Sequence, residues 1–110
     1  MHAVVVLLLV GCGSVTEDNF AAERAAAECQ VKRRCFRAEY EGEFDGSLEE
    51  CEEELTTQFE SEAKELYEDC DFEEENAVEC INAIRTATCG EFWDSSEEIF
   101  EDCQVVFSCD

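Results

Sequence analysis

Eight cysteines are spread between residues 29 and 109, at Cys29, Cys35, Cys51, Cys70, Cys80, Cys89, Cys103 and Cys109. An even number of thiols at this density in a short chain reads as a disulfide scaffold, because so small a domain has little apolar surface to bury. Each bridge contributes typically about 2–4 kcal/mol by restricting the unfolded chain, so four of them rival the whole net stability of such a domain. A fold that depends on oxidation belongs outside a reducing cytosol.

The ninth cysteine ends the run Leu9-Val10-Gly11-Cys12. Residues 1–11 have the apolar middle and the small-residue end of a signal peptide. The junction resembles the lipobox of bacterial lipoproteins, with Cys12 as the lipidated first residue. Only Met1 and His2 precede the apolar run, where a positive n-region would be usual, and the run is too short to span a bilayer. The alternative is an apolar stub with Cys12 as a spare thiol. Gly13, in place of the Asp that retains some lipoproteins in the inner membrane, points to the outer membrane. The expected organisation is a signal peptide over 1–11, a lipidated tether over 12–19 and a cysteine-rich helical domain over 20–110.

Beyond residue 19 there is no proline, and glycine occurs only at 42, 46 and 90, so the domain is expected to be helical. A first helix over 20–40 would use Ala22, Ala25, Cys29, Phe36 and Tyr40 and stop at Gly42. The second is marked by Leu48, Cys51, Leu55, Phe59, Ala63, Leu66 and Cys70, a narrow apolar seam stepping by three or four residues, with Ser47 and Glu50 as a capping box. Asp71 with Glu74 repeats that box before a third helix with Ala77, Cys80, Ile81, Ile84 and Ala87 inside and Gly90 at its end. Ser95 with Glu98 would cap a fourth, burying Ile99, Phe100, Cys103, Val106 and Phe107. Phe92 and Trp93 are expected to close one end of the core. The fold class is therefore all-α, a small disulfide-stapled antiparallel bundle of about four helices.

Residues 27–109 resemble a family of small cysteine-rich helical lipoproteins predicted in myxobacteria and related Gram-negative bacteria. The features that carry the resemblance are Cys29-x5-Cys35, Cys70-Asp71-Phe72 leading to Ala77-x2-Cys80, Cys80-x8-Cys89 and the end Cys103-Gln104-Val105-Val106-Phe107-Ser108-Cys109. It implies an envelope lipoprotein and supplies no catalytic or binding residue.

Thirty acidic residues against seven basic ones give a formal charge of -23. Such a surface repels a phosphate backbone, which excludes nucleic acid as a partner. The bases Lys32, Arg33, Arg34 and Arg37 cluster, whereas residues 41–79 hold eighteen acids and one base, Lys64. The basic stretch is expected to lie beside the acidic run of a neighbouring helix; contact with anionic lipid headgroups near the anchor is the alternative.

The chemistry-bearing residues argue against catalysis. Nucleophilic hydrolysis needs a base beside its Ser, Thr or Cys, and the sole histidine, His2, lies in the segment expected to be removed. No Cys-x-x-Cys redox motif is present in the exported domain. Structural disulfides are favoured over zinc by the exported context. Asp69, Asp71, Glu73 and Glu75 imitate an alternating calcium loop, but Glu74 takes the glycine position and Cys80 the bidentate carboxylate position, so a helix cap is the better reading. No cofactor is implied. The expected function is that of a lipid-anchored envelope protein with a binding or structural role toward an unknown envelope protein or ligand. A weak divalent-cation or basic-protein binder using the acidic face of residues 49–75 is the alternative, and a carboxylate hydrolase a distant one.

Placing cysteines level along an antiparallel bundle selects four pairs: Cys35–Cys51 across the first loop, Cys29–Cys80 on two parallel helices, Cys70–Cys109 at the opposite end, and Cys89–Cys103. The dense acids also predict a salt response, since like charges at i,i+4 destabilise a helix by a few tenths of a kcal/mol per pair. The melting temperature should rise as salt is added from low ionic strength; an unchanged value would mean the acids are too dispersed to interact.

Overall fold

The computed structural model describes residues 15–44, 47–94 and 101–109. Helix α1 (Phe20–Cys35) is followed by α2 (Arg37–Phe44), α3 (Leu48–Leu66), β1 (Asp71–Phe72), α4 (Glu74–Thr86), α5 (Cys89–Asp94), helical residues 101–104 and β2 (Phe107–Ser108). The fold is all-α and stapled by four disulfides. Among the described residues a single ribbon pairs β1 with β2 antiparallel, Asp71 opposite Ser108 and Phe72 opposite Phe107.

Helix α1 is the axis of the molecule and packs against both α3 and α4. It can do so because it carries two apolar stripes. Ala25 and Cys29 meet Cys51 and Leu55 of α3, together with Tyr40 and Phe44 of α2. Phe20, Ala27 and Val31 meet Ala77, Cys80, Ile81 and Ile84 of α4, and Val15, Ala87, Cys103 and Val106 complete that second cluster. Small side chains on α1 let both neighbours approach closely; Ala25, Ala27 and Cys29 are fully buried.

The helix boundaries differ from the sequence-based expectation at several points. The first helix breaks at Phe36 (φ −131°, ψ 53°), whose N–H donates to the Lys32 carbonyl at 2.8 Å. The break directs Phe36 toward Phe92 and lets Tyr40 and Phe44 return to the α3 side. Gly42 and Gly90 are not stops but lie inside α2 and α5. Ala22, expected inside, is exposed, as is Leu66. Helix α3 ends at Leu66, and Tyr67 just beyond it stacks on Phe107.

At the start of α3 the Ser47 side chain accepts from the Glu50 N–H at 3.1 Å, while the Ser47 N–H donates to the Phe44 carbonyl. The box expected at Asp71 and Glu74 does not form. Asp71 belongs to the ribbon, Glu73 is the N-cap, and its N–H donates to the Val106 carbonyl at 2.7 Å. A complete box stands instead at Thr88 and Glu91: the Thr88 N–H donates to Glu91 Oε1 at 2.8 Å and the Glu91 N–H to Thr88 Oγ1 at 3.1 Å.

The expected fourth helix is short on its described side. Residues 101–104 are helical, Val106 is buried after the helix, and Phe107 is in β2. Ser95, Glu98, Ile99, Phe100 and the side chain of Trp93 lie outside the described residues. So does Cys12. Val15, assigned to the tether, is buried in the core, and Thr16 and Asn19 exchange backbone-to-side-chain hydrogen bonds at 2.7 and 3.3 Å ahead of α1. Val15 thus packs with the helical core although it precedes α1.

The disulfides join Cys29 to Cys51, Cys35 to Cys89, Cys70 to Cys109 and Cys80 to Cys103, with Cα separations of 6.0, 5.4, 4.5 and 4.6 Å. Cys70–Cys109 is the pair selected by level. The expected Cys35–Cys51, Cys29–Cys80 and Cys89–Cys103 pairs are replaced because azimuth around α1, not height along it, decides the partner. Cys29 and Cys35 lie about 120° apart at ~100° per residue, so one faces the α3 cluster and the other the α4 cluster. Peptide mapping without reduction should return these four pairs. Replacing Cys29 and Cys51 together by Ser should lower stability in urea by about 3 kcal/mol, and a loss near zero would show that this bridge does not hold α1 to α3.

Candidate binding groove

The ribbon brings four aromatic rings together near the N-terminal end of α1. Phe107 stacks on Tyr67 at 4.8 Å, meets Phe72 edge-on at 5.7 Å and Phe20 at 6.1 Å, and Phe20 meets Phe72 at 5.9 Å. Such geometries contribute about 0.5–1.5 kcal/mol per pair beyond area burial. The Cys70–Cys109 bridge joins the two chain segments just outside the ribbon.

Beside this cluster runs a groove of about 550 Å³ between the start of α1, the second half of α3 and the Cys103–Phe107 segment. Phe20, Phe59, Tyr67 and Phe107 supply aromatic surface, with Ala21 and Ala63 between them. Five carboxylates, Glu17, Asp18, Glu60, Glu62 and Glu68, line it against two cations, Arg24 and Lys64. All five acidic residues are exposed. Exposure suits a charged rim, whereas a catalytic acid needs an environment that keeps it protonated.

Arg24 is engaged within the groove wall. Its Nε donates to Glu28 Oε2 at 2.9 Å, and its guanidinium carbon lies 4.4 Å from the centre of the Phe59 ring. Glu28 is buried, so this pair satisfies a charge that would otherwise be left in the core. The wall thus holds one cation between an aromatic face and a carboxylate.

The acidic run expected to form one face is divided by the fold. Glu60, Glu62 and Glu68 reach the groove, whereas Glu49, Glu53 and Glu54 lie on exposed α3 surface outside it. Glu17, Asp18 and Phe107 are groove residues that sequence reasoning missed. Among the described residues no group of three or more His, Cys, Asp or Glu is placed to hold a metal ion, and Asp71 of the imitation calcium loop belongs to the ribbon. The basic stretch is spread over several partners: Arg34 donates to the Ala87 carbonyl at 2.9 Å, Arg37 pairs with Glu41 on α2 at 3.3 Å, and Arg33 shares the surroundings of Tyr40 with Glu52 of α3, although among the described residues no ion pair joins the stretch to α3. No family model, curated protein or solved structure matches the chain.

A second, smaller cavity of about 280 Å³ lies near the C-terminal end of α1, lined by Lys32, Phe36, Glu39, Tyr40, Glu43, Phe44 and Phe92. Tyr40 is 2% exposed, and its hydroxyl has no hydrogen-bond partner among the described residues. Burial pushes its phenol above the ordinary value of 10.0; the positive charge of Arg33 opposes the rise and the negative charge of Glu52 adds to it. The native state therefore keeps the proton while the unfolded chain releases it. The associated stability is fully present below the unfolded value and is lost as pH rises toward the raised folded one. Tyr40→Phe should be neutral or stabilising at pH 7, by up to about 1–3 kcal/mol from relief of the unpaired hydroxyl, and should lessen the alkaline loss in urea titrations. Wild-type and Tyr40→Phe profiles that run parallel above pH 10 would show that the phenol titrates alike in the folded and unfolded chain.

Proposed function

We propose that the protein is a lipid-anchored component of a bacterial cell envelope that works by binding, without catalysis. The observation that carries this reading is the cysteine arithmetic: eight cysteines pair among themselves, and Cys12, next to Leu9-Val10-Gly11, is the one outside the scaffold. Four disulfides suit an exported domain, and a lipobox accounts for the ninth thiol. The resemblance of residues 27–109 to predicted envelope lipoproteins supports the same location. The residue after Cys12, Gly13, favours the outer membrane.

Burial of Val15 gives the anchor a mechanical meaning. Three residue steps separate it from Cys12, a reach of at most about 11 Å at ~3.3–3.6 Å per residue. The domain would be held close to the headgroups, with the N-terminal end of α1 and its groove toward the anchor. The basic stretch is at the other end of α1, about 18 Å further on for Lys32 at ~1.5 Å per residue, which separates it from the anchor point.

Metabolic labelling with a tagged fatty acid in a Gram-negative host tests the anchor. Wild type should carry the label and partition with membranes, and Cys12→Ala should lose both. Equal labelling of the two would overturn the assignment. A single acyl chain binds only marginally, so stable attachment depends on the further chains of a mature lipoprotein.

A further inference from the structure

We propose that the groove beside α1 receives a basic amphipathic peptide segment of a partner protein, with Lys or Arg flanking an apolar or aromatic side chain. This names a partner for the binding role proposed above and does not require lipidation. Three observations fit this occupant. The groove has an aromatic floor in Phe20, Tyr67 and Phe107, so an inserted apolar side chain would bury surface against rings. Its rim carries five carboxylates against two cations, and Arg24 is already paired with Glu28. The groove wall also holds a cation in the manner required of the ligand, for Arg24 lies over the Phe59 ring with a carboxylate at its side.

The chemistry also distinguishes this ligand from simpler ones. A polyamine would satisfy the rim and leave the floor unused. A divalent ion wants several oxygens converging at short range, whereas these carboxylates are exposed along a groove rather than gathered at a point. An apolar peptide without charge would gain the floor but not the long-range attraction of a chain at -23, which raises the association rate.

The test is calorimetric titration of the full oxidised chain carrying Cys12→Ala. The probes are the peptide acetyl-Lys-Lys-Leu-Phe-Lys-Lys-amide, its analogue with Gln at every Lys, spermine and calcium. The lysine peptide should bind at least about tenfold more tightly than the other three probes. Glu17→Gln with Glu60→Gln, one from each wall, should weaken the lysine peptide by about tenfold, whereas Glu53→Gln with Glu54→Gln, outside the groove, should change it by less than about twofold. Lys64→Gln, which removes a competing cation, should tighten binding by about two- to threefold, a gain that misfolding cannot imitate. Equal weakening by both glutamate pairs, or spermine binding as tightly as the lysine peptide, would reduce the effect to a diffuse acidic field and overturn the proposal. Absence of peptide binding would overturn it too, and would leave the labelling result at Cys12 unaffected.

Discussion

Everything else in this fold depends on α1 being buried along two stripes at once. A helix that packs on one side leaves the other free for charges; α1 instead separates two apolar clusters and supplies residues to both. That arrangement requires small side chains where its neighbours cross, which is why Ala25, Ala27 and Cys29 are fully enclosed. A larger residue at any of them would have to displace α3 or α4, and overpacking of this kind costs typically about 1–3 kcal/mol. One disulfide then ties each stripe outward, Cys29 to α3 and Cys35 to the start of α5.

The staples and the charge are complementary parts of the same solution. Each cluster is small, and most of the surface of α3 is acidic, so the chain repels itself wherever it is compact. The described ion pairs do little to offset this. Arg24–Glu28 is largely buried, Arg37–Glu41 is exposed, and Arg85 reaches Glu23 at 3.5 Å. Exposed pairs contribute about 0–1 kcal/mol each, whereas bridges closing separations of 22 to 54 residues contribute about 3–4 kcal/mol apiece by chain entropy. Covalent links acting on the unfolded chain can hold the native state without requiring the surface acids to be neutralised.

How much of this was legible depends on how each helix is buried. The inner positions of α4 and the first half of α3 could be read directly, because each buries one face and the remaining faces are polar. Helix α1 could not, since two stripes overlap in sequence and leave no clean period: a single-stripe reading puts Ala22 inside and omits Ala27, whereas Ala22 is exposed and Ala27 buried. The break at Phe36 carries no glycine or proline, and a two-residue ribbon is too short for an alternating pattern. Other features are legible in sequence: Thr88-x-x-Glu91 has the capping-box spacing, and the angle of about 120° between Cys29 and Cys35 gives them partners on different sides of α1. The groove was half visible. Glu60, Glu62 and Glu68 stand out in the acidic run, but Glu17, Asp18 and Phe107 join them only through tertiary packing.

The division of labour between core and staples also bears on the proposed binding role. A groove built from Tyr67, Phe107 and Phe20 would be expected to close over its own apolar surface if the segments carrying those rings could move freely. Here β1 and β2 are held to each other by backbone pairing, the Cys70–Cys109 bridge joins their flanks, and the Cys80–Cys103 bridge ties α4 to the segment leading into β2. Phe107 therefore reaches the floor from a strand restrained on both sides, and Tyr67 stacks on it at the end of α3. Rigidity of this kind lowers the ordering entropy that a ligand must overcome. The bridges that keep an acidic chain folded thus also preorganise the aromatic surface that, with its rim of unneutralised carboxylates, is proposed to meet a basic partner.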